Sequence, residues 1–432
     1  MSSSTEIAVQ SGVAAHMPGE MSLLRLATIG SVDDGKSTLI GRLLCDARQL
    51  FDDQVEAVAV ASRAAGMNDF DLAMVTDGLR SEREQGITID VAYRYAATPT
   101  RKFIIADCPG HLQYTRNMAT GCSTADLALV VVDVTAGLGI QTRRHLCIAA
   151  LLGVRRVVVA VNKMDIVDWE KGRFDCVAEE TRALLSRLGF TDVTLIPISA
   201  LRGGNVVDQE PLDWYQGPTL LHALERADIS ASDEPAIPWR LPVQWVLRHP
   251  DGRRSYAGMV ARGTVTVGDA VLVGPRQAAR VVAIDGPGGR VDAAGPGISA
   301  SIFLSEDVDL GRGDMMCSAD SPAAHVSDFS ATLCWFGERP LTSGDRFFLK
   351  HTTRETRAVI TKLCGVLDVE KLGMNPVDVA QNNDIVMVEV SVSQPLALDA
   401  YAVSRSTGAF ILMEEGTGTT VGAGMVGSPS FF

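Results

Sequence analysis

The sequence has no Cys-x-x-Cys pair: its eight cysteines stand at positions 45, 108, 122, 147, 176, 317, 334 and 364, never closer than fourteen residues. That spacing excludes a zinc ribbon and a disulfide framework, and scattered thiols suit a reducing cytoplasm. Long apolar runs are missing too. The stretch Leu127 to Val132 is six residues long, far short of the ~18 that a bilayer span requires, so a soluble, cytoplasmic chain with no membrane contact is expected. Basic residues are in deficit, with 39 Lys and Arg against 52 Asp and Glu and a net charge of −13. A broad basic surface is thereby excluded, and no nucleic-acid partner is expected. No Lys or Arg precedes Arg25, so residues 1–20 lack the basic n-region of a secretory signal and read as a flexible tail.

What is present is an ordinary globular composition, 46% hydrophobic over 432 residues, enough for two or three domains. Between residues 21 and 227, short Val/Ile/Leu runs alternate with amphipathic segments. Leu23 to Ile29, Lys102 to Ala106, Ala128 to Asp133, Arg156 to Val161 and Thr194 to Ile198 read as strands; Thr38 to Leu50, Gln141 to Leu152 and Ala178 to Leu188 read as helices. Regular alternation predicts an α/β domain with a doubly wound, mostly parallel sheet. Asp228 to Pro238, rich in small polar and acidic residues with two prolines, reads as a linker. Beyond it the helical period vanishes. Alternating segments at Leu241 to Leu247, Gly263 to Val267, Ala270 to Val273 and Ser299 to Phe303 predict an antiparallel β-barrel over residues 239–325. A break is expected at Ser318 to Ser327. A second barrel is expected over residues 326–432, from Ala331 to Phe336, Asp345 to Leu349, Arg357 to Leu363, Ile385 to Val392, Ala409 to Met413 and Thr420 to Val426.

The chemistry is concentrated in the first domain. Gly30-Ser31-Val32-Asp33-Asp34-Gly35-Lys36-Ser37, with Thr38 opening the next helix, fits the phosphate-binding loop pattern G-x-x-x-x-G-K-[ST] in its required strand-to-helix setting. Glycines admit phosphate close to backbone N–H groups, Lys36 supplies a point charge, and Ser37 can ligate Mg²⁺. Asn162-Lys163-Met164-Asp165 follows a predicted strand. Guanine presents N1–H and an amino group side by side, so the single carboxylate of Asp165 can accept both; adenine has no such pair, which predicts GTP over ATP. Asn162 and Lys163 can brace the loop and flank the base, while Ser199-Ala200-Leu201 can offer an N–H to guanine O6. Asp107-Cys108-Pro109-Gly110-His111 ends another strand, so Asp107 can hold a Mg²⁺-bound water and the Gly110 N–H can meet the γ-phosphate. Thr88, in Gly86-Ile87-Thr88-Ile89, can close over the metal. His111, one residue past the hinge glycine, can orient the attacking water.

With these motifs in place, the chain resembles the translation-factor class of GTPases, and within it the large, GTP-binding subunits of bacterial sulfate adenylyltransferase. The residues that carry the resemblance are GSVDDGKSTLIGRLL from Gly30, DGLRSEREQGITIDVAYRY from Asp77, RKFIIADCPGH from Arg101 and QYTRNMATG from Gln113. An elongation factor is expected to have histidine at the position of Asp34. The resemblance implies a G domain followed by two barrels. It further implies that GTP hydrolysis drives the formation of adenylyl sulfate and pyrophosphate from ATP and sulfate by a separate small subunit, in a heterodimer or larger assembly. It also implies a hydrophobic gate, Val32 and Ile87, beside His111. The chain departs from the family pattern at Cys108, commonly threonine, and at Leu112, commonly glutamate, which bears on rate. Gly-Lys occurs once, so a fused kinase with its own phosphate loop is not expected. The competing readings are an elongation-factor-type GTPase delivering aminoacyl-tRNA and a GTP-binding scaffold without useful turnover.

Overall fold

A computed structural model describes residues 21–47, 72, 88–228, 237–273 and 277–428. The expected tail at 1–20, most of the linker, Gly86, Ile87, the end of the first helix beyond residue 47 and much of the block beginning at Asp77 lie outside them.

The first domain has strands β1 (Ser22–Ile29), β2 (Ala92–Ala97), β3 (Arg101–Asp107), β4 (Leu127–Asp133), β5 (Arg156–Asn162) and β6 (Asp192–Pro197). Its helices are α1 (Lys36–Asp46), α2 (Thr115–Ser123), α3 (Ile140–Leu151), α4 (Lys171–Arg187) and α5 (Leu220–Arg226). The sheet order is β2-β3-β1-β4-β5-β6, parallel except for β2, which runs antiparallel to β3. The order reverses at β1, which lies between β3 and β4. That switch opens a crevice at the carboxyl edge, where such sheets bind ligands. Every residue of β4 is buried, as a central parallel strand covered on both faces requires. Its side chains alternate. Leu127, Leu129 and Val131 join Leu39, Ile40 and Leu43 of α1 and Leu220 and Leu224 of α5 in one core. Ala128, Val130 and Val132 join Met118, Leu146 and Leu185 in the other.

Two expected helix bounds shift. The first helix begins at Lys36 rather than Thr38, because Gly35 already serves as its N-cap. The third begins at Lys171, seven residues before Ala178, through an N-terminal turn whose exposed Lys171 and Asp175 form an i,i+4 pair.

The second domain is a ring of antiparallel strands closed by one bent segment. Leu241 to Leu247 is not a single strand: Arg240–Pro242 pairs with Met315–Ser318, while Trp245–Arg248 pairs with Arg254–Met259. The adjacent N–H groups of Val243 and Gln244 turn to opposite neighbours, Asp314 O and Ala257 O, each at 2.8 Å. The expected strand at Gly263 to Val267 narrows to Val265–Thr266, since Gly263 adopts a positive φ. The third domain is a closed barrel, in which Arg346–His351 pairs both with Ala409–Met413 and with Arg354–Asp368 to complete the circle. Its first strand, Ala324–Trp335, corrects the break expected at Ser318 to Ser327. Ala324 and Val326 pair with Leu398 and Leu396 before a bulge at Asp328, so the boundary between 325 and 326 falls inside a strand.

Two unlike junctions hold the domains together. Cys334, Leu367, Val369, Ile385 and Met425 of the third domain pack into the core shared with α3 and α4. The barrels meet instead through ion pairs: Arg240, 2% exposed, reaches Asp399 at 3.1 and 3.2 Å, and Arg354 reaches Asp314 at 2.8 Å. Among the described residues, no helix is long and apolar enough to cross a membrane.

Candidate functional site

All motif segments that lie in the described residues converge on the carboxyl edge of the sheet. The loop after β1 is folded on itself: Ser31 N–H donates to Asp34 Oδ2 at 2.6 Å, and Lys36 Nζ donates to the carbonyls of Gly30 (3.1 Å) and Ser31 (2.7 Å). Gly35 is required twice over. Its φ is +89°, and a Cβ there would lie 2.5 Å from Asn162 Nδ2. A Cβ on Gly110 would stand 2.5 Å from Lys36 Nζ and 2.8 Å from Ser31 C, so the hinge after β3 abuts the phosphate loop directly. Burial lowers the Lys36 pKa, opposed by the charges of Asp107 and Asp34, and burial raises that of Asp34. Val32 and Asp33 are exposed, and Thr38 is half-buried in the first turn of α1.

Asn162 joins the two halves of the site. Its Nδ2 donates to Asp34 O at 2.8 Å, and its Oδ1 accepts from Ala200 N–H at 2.9 Å. Lys163, with φ +64°, pairs with Asp133 Oδ2 at 2.7 Å. Burial pushes the Asp133 carboxyl up, but Lys163 and two 2.7 Å hydrogen bonds from Thr135 outweigh it and hold the pKa low. Asp165, largely buried, meets the exposed Arg202 Nε at 3.4 Å. Arg42 of α1 donates to Ala200 O and Leu201 O, holding that loop against α1. Ser199 and Ala200 commit their N–H groups to Gly204 O and Asn162 Oδ1. The donor this loop can offer a ligand is therefore the Leu201 N–H.

Two expected site residues turn away. Cys108 directs its sulfur toward Met118 O and Gly121 of α2, and its N–H donates to Thr28 Oγ1. The neighbouring Cys122 and burial raise its pKa. Met164 is fully buried in the core, with its N–H on Ile198 O. Pro109 is buried beside Gly110.

Thr88 does come to the site, its Oγ1 3.5 Å from Ser37 Oγ. Asn117 of α2 donates to Ile89 O and fixes the adjoining chain. These two hydroxyls and the buried carboxylate of Asp107 at the end of β3 are hard oxygen donors of the kind that would suit a cation such as Mg²⁺. The described residues contain no cluster of three His, Cys, Asp or Glu side chains that would hold a metal alone. His111 caps the turn Leu112–Tyr114, its Nδ1 accepting from Gln113 N–H at 3.3 Å. In the neutral ring this puts the proton on Nε2, which can donate to a water oxygen and orient it. Leu112 is 46% exposed. Sequence reasoning missed Arg42, Asp133, Thr135, Asn117 and Arg202. Asp133 alone carried a signal, an acid closing a strand at the ligand-binding edge.

Residues 21–228 match the family described as Elongation factor Tu GTP binding domain, and residues 328–427 match the GTP-eEF1A C-terminal domain-like family. The chain is 51% identical to the "Bifunctional enzyme CysN/CysC" of Mycobacterium tuberculosis (strain ATCC 25618 / H37Rv), covering 94% of this chain and 67% of that one. It is 46% identical to "Sulfate adenylyltransferase subunit 1" of Chromobacterium violaceum, over 94% and 86%. It is 44% identical to the protein of that name in Aliarcobacter butzleri, over 94% and 88%. The chain belongs to the sulfate adenylyltransferase subunit 1 family.

Proposed function

We propose that this chain is the GTP-hydrolysing subunit of a sulfate adenylyltransferase, whose partner is a small, ATP-using subunit. Hydrolysis of GTP to GDP and phosphate drives the partner's otherwise unfavourable reaction, in which ATP and sulfate yield adenylyl sulfate and pyrophosphate. The observation that carries this reading is that Asn162 ties the phosphate loop, at Asp34 O, to the loop at Ala200, whose Arg202 meets Asp165, the carboxylate we assign to guanine. The relatives' name, "subunit 1", supports a partner.

Within the site, backbone N–H groups of residues 30–36 and the start of α1 cradle the phosphates. Lys36 exchanges its two carbonyl acceptors for phosphate oxygens, and the Gly110 N–H reads the γ-phosphate. Asp165 accepts the paired guanine donors while the Leu201 N–H meets O6. His111 orients the attacking water, and Val32 stands in the gate beside it. Bound Mg²⁺ neutralises charge on the phosphates; Ser37, Thr88 and Asp107 are the residues that hold it. Delivery of aminoacyl-tRNA is the weaker reading, because Asp34 is buried here as a brace for the Ser31 N–H.

The test is calorimetric and kinetic. GTP binds at least about 100-fold more tightly than ATP, as expected when a buried carboxylate is left unpaired by the wrong base, and the small subunit stimulates turnover. Equal affinity for the two nucleotides, or stimulation by ribosomes alone, overturns the assignment.

A further inference from the structure

The first turn of α3 carries two adjacent residues that face two different parts of the site. Thr142 Oγ1 lies 2.9 Å from Ser31 Oγ of the phosphate loop. Gln141 faces the His111 turn: its Nε2 donates to Thr115 Oγ1 at 3.3 Å, and Thr115 Oγ1 donates in turn to Leu112 O at 2.7 Å. The chain of bonds therefore ends on the carbonyl next to His111.

The Gln141 carboxamide has one orientation. Arg144 Nη1 reaches Gln141 Oε1 at 3.1 Å, and a guanidinium only donates, so the oxygen faces Arg144 and both amide hydrogens face the other way. One goes to Thr115. The other goes to His145 Nε2 at 2.8 Å, which must then be an unprotonated acceptor. The His145 proton is left on Nδ1, a fully buried nitrogen with no hydrogen-bond partner among the described residues. Burial, aided by the charges of Lys36 and Arg144, drives the His145 pKa down to about 3, so Nε2 stays an acceptor throughout the physiological range. A buried donor without a partner is a cost that a packed core normally removes. Here the same ring nitrogen arrangement fixes the amide that holds Thr115.

We infer that Gln141 is a positioning residue for His111: it fixes the turn that carries the imidazole against α3, the helix that also grips the phosphate loop. The inference rests on the proposed water-orienting role of His111 and deepens it. Gln141 and Thr142 thereby divide the work of one helical turn, the first setting the hydrolytic group and the second the phosphate cradle.

Single-turnover GTP hydrolysis and GTP affinity, measured on the full chain for Gln141→Met, Thr115→Val, His111→Ala and the double variant Gln141→Met/His111→Ala, test this. Gln141→Met and Thr115→Val are expected to slow hydrolysis by roughly 10-fold, less than the ~100-fold that a 1 Å misplacement can cost. Their GTP affinity stays within about twofold of wild type, a convention for an unchanged site at RT ln 2. In the His111→Ala background, Gln141→Met adds nothing further. A normal rate in both single variants beside a slow His111→Ala overturns the inference and leaves the His111 reading standing. Effects that multiply in the double variant, or affinity that falls in step with rate, overturn it as well. A wild-type rate in His111→Ala removes both. Thr115→Val keeps the test alive if Gln141→Met does not fold.

Discussion

At the phosphate end of the crevice nearly every group is engaged by its own loop, whereas at the end we assign to guanine the carboxylate of Asp165 has, among the described residues, one exposed partner. Lys36 is bonded to Gly30 and Ser31, Asp34 to Ser31, and Gly35 and Gly110 leave no room for a Cβ. Among the described residues Asp165 meets Arg202, a side chain 75% exposed, in an ion pair worth little in water. The difference teaches that the phosphate end is a closed network of backbone groups with the side chains of Asp34 and Lys36, so that damage there removes binding. The guanine end is built from a side chain, so that change there alters preference.

The largest effect that can break this comparison is expected from Lys36→Ala. Two charge-assisted contacts at about 1.5–3 kcal/mol each correspond to at least ~100-fold weaker GTP binding. The thermal midpoint should hold or rise, because a buried cation is removed. Calorimetry and thermal melts report both; a variant that still binds GTP normally contradicts a phosphate end in which damage removes binding.

Asp165→Asn is next. An amide cannot accept guanine's two donors, so GTP affinity should fall about 100-fold, while xanthosine triphosphate, with a carbonyl where guanine has its amine, should gain. Parallel titrations of the two nucleotides check the inversion, and loss of affinity for both equally would mean that this end, too, is structural.

Asn162→Ala strikes the link between the ends. It orphans Asp34 O and Ala200 N–H, at about 1–3 kcal/mol each, and should weaken binding roughly 10-fold while lowering the melting temperature. A drop confined to one of these readouts would mean that the two halves are held independently.

The smallest effect concerns pH. The Asp133 carboxyl is held below its ordinary value by Lys163 and Thr135. Its folded pKa is depressed, so the stability it contributes is present above the unfolded carboxylate value of ~3.9 and disappears as pH falls through the folded value. Asp133→Asn should therefore be less stable than wild type by under about 1 kcal/mol at pH 6, and the difference should shrink as pH is lowered below ~3.9. Denaturant melts across that range measure this.

Much of the fold was legible because its signals are local. Val/Ile runs ended by Gly, Asp or Asn mark β1, β3, β4 and β5, and the segments after them carry the chemistry. The short strand β2, with Tyr93 and Tyr95 exposed, lacks an apolar run and went unread. So did α2, whose Thr, Asn and Gly content conceals a helix held by tertiary contacts. The bend at Val243–Gln244 could not be read either, since only closure of the barrel makes one apolar segment serve two neighbours. In the site, motif spacing pointed to Asn162 and Asp165 but not to Arg42 or Asp133, whose contacts come from strands and helices distant in sequence. Cys108 and Met164 sit inside motifs and yet point into the core, because alternate residues leaving a strand end face opposite ways.

Reconstitution with the small subunit bears most directly on energy coupling. With ATP and sulfate present, adenylyl sulfate should accumulate well beyond its unassisted yield when GTP is added, and should not when a non-hydrolysable GTP analogue replaces it. The same yield with GTP, with the analogue and with neither would contradict the coupling of hydrolysis in this chain to sulfate activation.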